Sequence, residues 1–207
     1  MGRDRVTLQV PSVSLDGFPS KYVRKGTRWH RAHRRTLGAW FYASGMEGRF
    51  DLPAPDGTCY VANTAEVAAR ELIGPDFIEQ GIVSDSFLDD RVVSQIILPT
   101  EANCAKTTDK DAFKFRLSNE ISSTADYELT QGWAKSFRAA GFTGIWYQPR
   151  YSPDKGRALA LFGPGGVMDV ERLDRRELRE VVAEMIKLDV VSTSLASAYE
   201  ILDEPLE

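Results

Sequence analysis

A short apolar strand that runs straight into a capped helix, between Cys59 and Pro75, limits the fold more tightly than any other stretch of the chain. Cys59-Tyr60-Val61-Ala62 has the length and character of a buried strand. Asn63 offers an N-cap oxygen, and Glu66 three residues later completes a capping-box pattern. Periodicity carries the helix from Thr64 to Ile73, and Gly74 followed by Pro75 predicts its end. Val67, Ala68, Glu71 and Leu72 share one face, because positions three and four apart are helix neighbours. That face is apolar except for one carboxylate, Glu71.

Further elements follow the same logic. Val92 to Leu98 is apolar and β-branched and reads as a strand, as do Thr143 to Tyr147 and Arg157 to Phe162. Thr130 caps an expected helix over 131–140, with Trp133, Ala134, Phe137 and Ala140 facing inward and Gly141 ending it. Residues 101–127 are polar and fit no single pattern. Gly163-Pro164-Gly165-Gly166 turns the chain. Asp174 to Leu188 reads as an amphipathic helix with Leu178, Val181, Val182, Met185 and Ile186 inward, and Leu195 to Leu202 as a further short one. Short strands with interspersed helices, but no regular βαβ alternation, predict an α+β fold. At 207 residues, with no repeat or low-complexity linker, the expectation is one domain. Residues 1–27, punctuated by Pro11, Gly17 and Pro19, are expected to be poorly ordered or peripheral, 28–163 to form the core, and 164–207 a helical extension packed on it.

Composition narrows the function classes. Two cysteines, Cys59 and Cys104, and two histidines, His30 and His33, are too few and too poorly spaced for a structural zinc site or a disulfide framework. No apolar h-region opens the chain, and no apolar run approaches the ~20 residues of a membrane span. The cytoplasm is the expected address. Charge is uneven: residues 1–35 hold nine Lys or Arg against two Asp, leaving 17 basic and 28 acidic residues beyond, for a net charge of −4. A basic start on an acidic body suits nucleic acid, a phosphate-bearing cofactor or an acidic partner, and equally a solvated tail.

Three local features carry chemistry. Trp29-His30-Arg31 has Arg34 and Arg35 close behind; Gly48-Arg49-Phe50-Asp51 is a glycine turn that presents an arginine; Tyr60 on its strand precedes Glu71 on the next helix. A guanidinium's planar fork of donors suits pyrophosphate. A tyrosine offers a flat face and a hydroxyl. A half-buried glutamate can hold a ribose hydroxyl or steer a nucleophile. Singly, each has a plainer reading: a surface arginine, a core aromatic, a carboxylate on the wet side of an amphipathic helix.

In order and spacing these pieces resemble the RES domain family. The aromatic-x-Arg start is followed by Gly-Arg-Phe-Asp at 48–51, Tyr60-x-Ala62, and Glu71 in Ala68-Ala69-Arg70-Glu71. Later come Thr130-Gln131-x-Trp133-Ala134, Gly141-Phe142-x-Gly144-Ile145-x-Tyr147 and Ala158-Leu159-Ala160-Leu161-Phe162, so the resemblance spans 28–163. It implies a compact ADP-ribosyltransferase-like core with a cleft for NAD+. Of the family's Arg, Glu and Ser, the first falls on Arg31 and the second on Glu71. Pro149 occupies the expected serine position, and Ser152 lies three residues on.

The resemblance further implies an NAD+-consuming toxin that cleaves the nicotinamide–ribose bond by hydrolysis or phosphorolysis. Its partner would be an antitoxin with a helix-turn-helix DNA-binding region. NAD+ is then the substrate, inorganic phosphate a possible co-substrate, and no metal, membrane or direct nucleic-acid contact is expected. Arg31 and Arg49 would hold the phosphates, Tyr60 the nicotinamide end, Glu71 a ribose hydroxyl, and Ser152 the reacting sugar or an incoming phosphate. Three rival readings stay open: a protein ADP-ribosyltransferase using the same pocket, a RES domain that binds without turnover, and a nucleic-acid-binding scaffold built on the basic N-terminal residues.

Overall fold

The computed structural model describes residues 7–168, 172–188 and 190–192. The chain runs β1 (Ser20–Val23), β2 (Arg28–Arg34), β3 (Phe41–Tyr42), β4 (Asp56–Ala62), α1 (Ala65–Gln80), β5 (Val83–Ser84), α2 (Asp85–Asp89), β6 (Arg91–Ile97) and β7 (Ala102–Lys106). A 3-10 segment (Lys110–Phe115), α3 (Glu120–Ser123), α4 (Tyr127–Ala139), β8 (Gly144–Tyr147) and β9 (Ala158–Pro164) follow. The chain continues through β10 (Gly166–Val167), β11 (Arg172–Glu177), α5 (Leu178–Val181), a π-helical turn (Val182–Ile186) and β12 (Val190–Val191).

Eight strands join in one sheet in the order β1-β7-β8-β9-β4-β2-β6-β11, with the small pairs β3–β10 and β5–β12 beside it. This is the α+β, single-domain architecture that the pattern of elements required. β4 pairs with β9, and β2 with β6, along their whole lengths. β2 and β4, however, meet at a single pair, His30 opposite Ala62. The sheet therefore parts along that seam. On one side α4 packs Trp133, Ala134 and Phe137 onto β8 and β9 together with Phe50, Phe18 and Ile145. On the other, α1 and α5 bury Val67, Ala68, Ile73, Leu178 and Val181 against Val93.

Several expected boundaries shift, each for a physical reason. The cap of α1 is Thr64, whose hydroxyl accepts from the Val67 N–H at 3.2 Å. Asn63 is drawn away to Arg157, accepting its backbone N–H at 3.0 Å, and Glu66 pairs with Arg70 instead of closing a capping box. The helix does not stop at Gly74-Pro75. It runs through both to Gln80 and ends at Gly81, left-handed at φ 73°. Pro75 removes the bond to the Glu71 carbonyl and crowds it, yet the helix continues past it, with Ile73 and Gly74 buried beside it. In α4 the cap is Asp126, a stronger N-cap than threonine, which accepts from Leu129 N–H at 3.0 Å. Thr130 lies one turn inside, and Ala140 is exposed.

The chain ends differ most from expectation. The segment ahead of Arg28 is not peripheral over its described length. Leu8, Leu15 and Phe18 are buried, β1 pairs with β7, and the Trp133 indole donates to the Gln9 carbonyl at 2.9 Å. These contacts are long-range and leave no local period. The expected helix from Asp174 is a strand as far as Glu177: β11 satisfies the outer backbone edge of β6, which a helix there would leave unpaired. Leu178, Val181 and Val182 then turn inward as expected, while Met185 is 40% exposed. The expected helix at 195–202 lies outside the described residues. Among the described residues no helix is long and apolar enough to cross a membrane.

Candidate active site

The turn at 46–51 is built before it can present anything. Gly48 N–H donates to Asp51 Oδ2 at 2.9 Å, and the Tyr60 hydroxyl donates to Asp51 Oδ1 at 2.8 Å. The same hydroxyl accepts from Phe50 N–H at 2.8 Å. Gln131 Nε2 donates to the carbonyls of Met46 and Gly48, and Thr130 Oγ1 to that of Arg49. A Cβ at Gly48 would lie 2.7 Å from the Tyr60 oxygen, so only glycine fits. Burial pushes the Asp51 carboxyl up from its ordinary range, and the Gly48 and Tyr60 donors partly restore it. Burial and the neighbouring Asp51 push the Tyr60 phenol up.

Tyr60 is thus committed at its hydroxyl, and its ring is what remains for a ligand. Tyr60→Phe is expected to cost about 2 kcal/mol in chemical denaturation, because it removes the hydroxyl that both Asp51 Oδ1 and the Phe50 N–H use. A change within about 0.5 kcal/mol, the usual range for surface substitutions, would mean that the turn is held by other means.

Arg49, 9% exposed, rises from this turn. Its Nη1 donates to Thr124 O at 2.7 Å and Ile121 O at 3.4 Å, and its guanidinium lies over the Tyr127 ring at 5.0 Å. Arg31, on β2, donates from Nη1 to Ala39 O at 2.9 Å. Glu71, on α1, accepts at both oxygens from consecutive backbone donors: Tyr151 N–H at 2.7 Å and Arg150 N–H at 3.1 Å. Burial pushes the Glu71 carboxyl up; the two N–H groups and then the Arg49 charge pull it back. The nearby Ser152 hydroxyl adds the smallest downward pull, although it is not aligned in a hydrogen bond of its own.

Arg31, Arg49, Tyr60 and Glu71, drawn from four separate elements, line one cavity of about 780 Å³. It lies along the seam where β2 and β4 part, and His30 lines it as well. His33 does not: its ring nitrogens face the Arg34 carbonyl and the Ser94 hydroxyl, both at 2.9 Å. Ser152 is the other site residue the fold keeps apart. It is 7% exposed, lies within the loop after β8 and does not line the cavity. Gln148 and Arg157 hold that loop folded back, Gln148 through the Ser152 carbonyl.

Sequence reasoning missed several cavity residues. Tyr127, Tyr147, Arg150 and Tyr151 all line it, as does Asp51, read earlier only as part of a turn. Tyr147 had a signal, since it ends an apolar strand with a hydroxyl. Tyr127 had none, because nothing local says that the first residue of α4 faces this space. Among the described residues no group of three or more His, Cys, Asp or Glu could hold a metal ion.

Residues 25–180 match the family model of the RES domain. The chain belongs to the RES domain family. The match is longer than the landmark stretch 28–163 and takes in β11, the strand at the far edge of the sheet. A chain from the crystal structure of the M. tuberculosis MbcT–MbcA toxin–antitoxin complex has a similar fold. Its TM-score is 0.60 at 15% identity, covering 78% of this RES-domain chain and 92% of that one. No curated protein matches by sequence.

Proposed function

We propose that this RES-domain protein consumes NAD+ by breaking the nicotinamide–ribose bond, and that it is the toxin of a toxin–antitoxin pair. One observation carries the reading: Arg31, Arg49, Tyr60 and Glu71 converge on a single cavity whose volume suits a small-molecule ligand. The bond breaks with its electron pair leaving on nicotinamide, so positive charge develops on the ribose. Glu71 faces that charge and holds a ribose hydroxyl. Arg31 and Arg49 take the pyrophosphate, and the Tyr60 ring packs against the nicotinamide end. Water or inorganic phosphate then bonds to the ribose carbon, water releasing a proton. Ser152 is assigned a supporting place behind Glu71, not a contact with the sugar.

Incubating the purified chain with NAD+, with and without phosphate, tests this. Free nicotinamide with ADP-ribose marks hydrolysis, and a phosphorylated ADP-ribose marks phosphorolysis. Intact NAD+ after prolonged incubation rejects turnover, and NAD+ binding without loss marks the non-catalytic reading that Pro149 raises. Label from radioactive NAD+ trapped on protein would favour transfer. Growth arrest on expression, relieved by a co-expressed antitoxin with a helix-turn-helix region, tests the biological role. A basic surface that served nucleic acid would instead bind it with steep salt dependence.

The acid limb of kcat/KM should lie above pH 4.5, the ordinary glutamate value, because burial raises Glu71 more than its donors lower it. Stability runs the opposite way. A carboxyl raised on folding contributes most below its ordinary value, and that contribution is lost as pH rises through the folded value. A pH–rate profile checks the first statement, and a limb at or below 4.5 would mean that the two N–H donors win.

A further inference from the structure

Glu71 and Gly74 lie within one turn of α1 and meet the same partner, the loop after β8. Glu71 takes the backbone N–H groups of Arg150 and Tyr151. Gly74, three residues on and therefore on the same helix face, takes the Tyr151 ring. The fit leaves no space: a Cβ at Gly74 would sit 2.8 Å from Tyr151 Cδ1 and closer still to Cγ and Cδ2. Gly74 is buried, and glycine costs a helix interior roughly 0.5–1 kcal/mol against alanine, so helix propensity does not account for it.

We propose that Gly74 and Tyr151 form a clasp that positions Glu71 in the cavity. The ring seats on bare helix backbone, and that seat fixes the two consecutive N–H groups that hold the carboxylate. Tyr151 and Gly74 are positioning residues, acting through Glu71. The clasp rests on the proposed reaction only for its kinetic consequence, since its geometry stands without it.

The test is a cycle of Gly74→Ala, Tyr151→Ala and the double variant, read by NAD+ turnover and by backbone amide exchange. Gly74→Ala should lower kcat on the order of 100-fold with KM little changed, because the reacting groups are displaced and not removed. The Arg150 and Tyr151 amides should exchange at least about ten-fold faster. Once Tyr151→Ala has removed the ring, adding Gly74→Ala should change kcat by less than about two-fold. Equal losses in both backgrounds overturn the clasp, as does a Gly74→Ala protein with protected amides and wild-type kcat. If Gly74→Ala does not fold, folding of the double variant supports the clasp and its failure overturns it. If the wild-type chain leaves NAD+ intact, the functional reading fails while the amide arm still decides the clasp.

Discussion

Glu71→Gln is expected to yield a folded protein whose NAD+ turnover falls on the order of 100- to 1000-fold, the usual loss when one electrostatic stabiliser of a transition state is removed. Folding should survive because glutamine keeps the shape of the side chain, and Val67, Ala68 and Ile73 on the same helix still anchor α1. The amide oxygen can still accept from one of the Arg150 and Tyr151 N–H groups, but the amide nitrogen then faces the other. That mismatch costs about 1–3 kcal/mol, offset by relief from burying a charge. A thermal melt and product analysis decide the matter together. Wild-type turnover from a folded Glu71→Gln protein would remove Glu71 from the mechanism.

Phe50→Ala is expected to destabilise the fold by about 3–5 kcal/mol, a large share of the roughly 5–15 kcal/mol that holds a domain together. Phe50 is fully buried, packs edge-on against Tyr147 at 5.0 Å and joins the cluster built on Trp133 and Phe137. Its own N–H donates to Tyr60, so the cavity would also loosen the turn that carries Arg49. Urea denaturation measures the first effect, and turnover by the folded fraction the second. A loss under about 1 kcal/mol, small for a buried Phe→Ala change, would show that the turn does not depend on the core beneath it.

Part of the cavity lining is legible without the fold. Arg31, Arg49, Tyr60 and Glu71 were singled out because their chemistry stands out against local patterns: a guanidinium after a glycine turn, a carboxylate on an apolar helix face. All four line the same cavity. Tyr60 and Asp51 show the limit. Each was visible, but not that the hydroxyl of one is spent on the other. β4, β6, β8, β9, α1 and α4 were legible through strand length and helix period, whereas β1, β2, β7 and β11 were not; β1 and β11 exist because a neighbouring edge needed a partner.

Local chemistry therefore determined several of the elements, β4, α1, β6, α4, β8 and β9 among them, and which side chains are unusual. Caps, periods and turn residues act over a few positions, and a sequence displays them directly. Tertiary structure alone decided where helices end, which edges pair, that Ser152 is buried off the cavity lining, and that backbone N–H groups about eighty residues away hold Glu71. Those outcomes follow from burial and hydrogen-bond satisfaction between distant segments. Such terms override a Gly-Pro stop signal or a helical period, and they do so without altering the residues that display it.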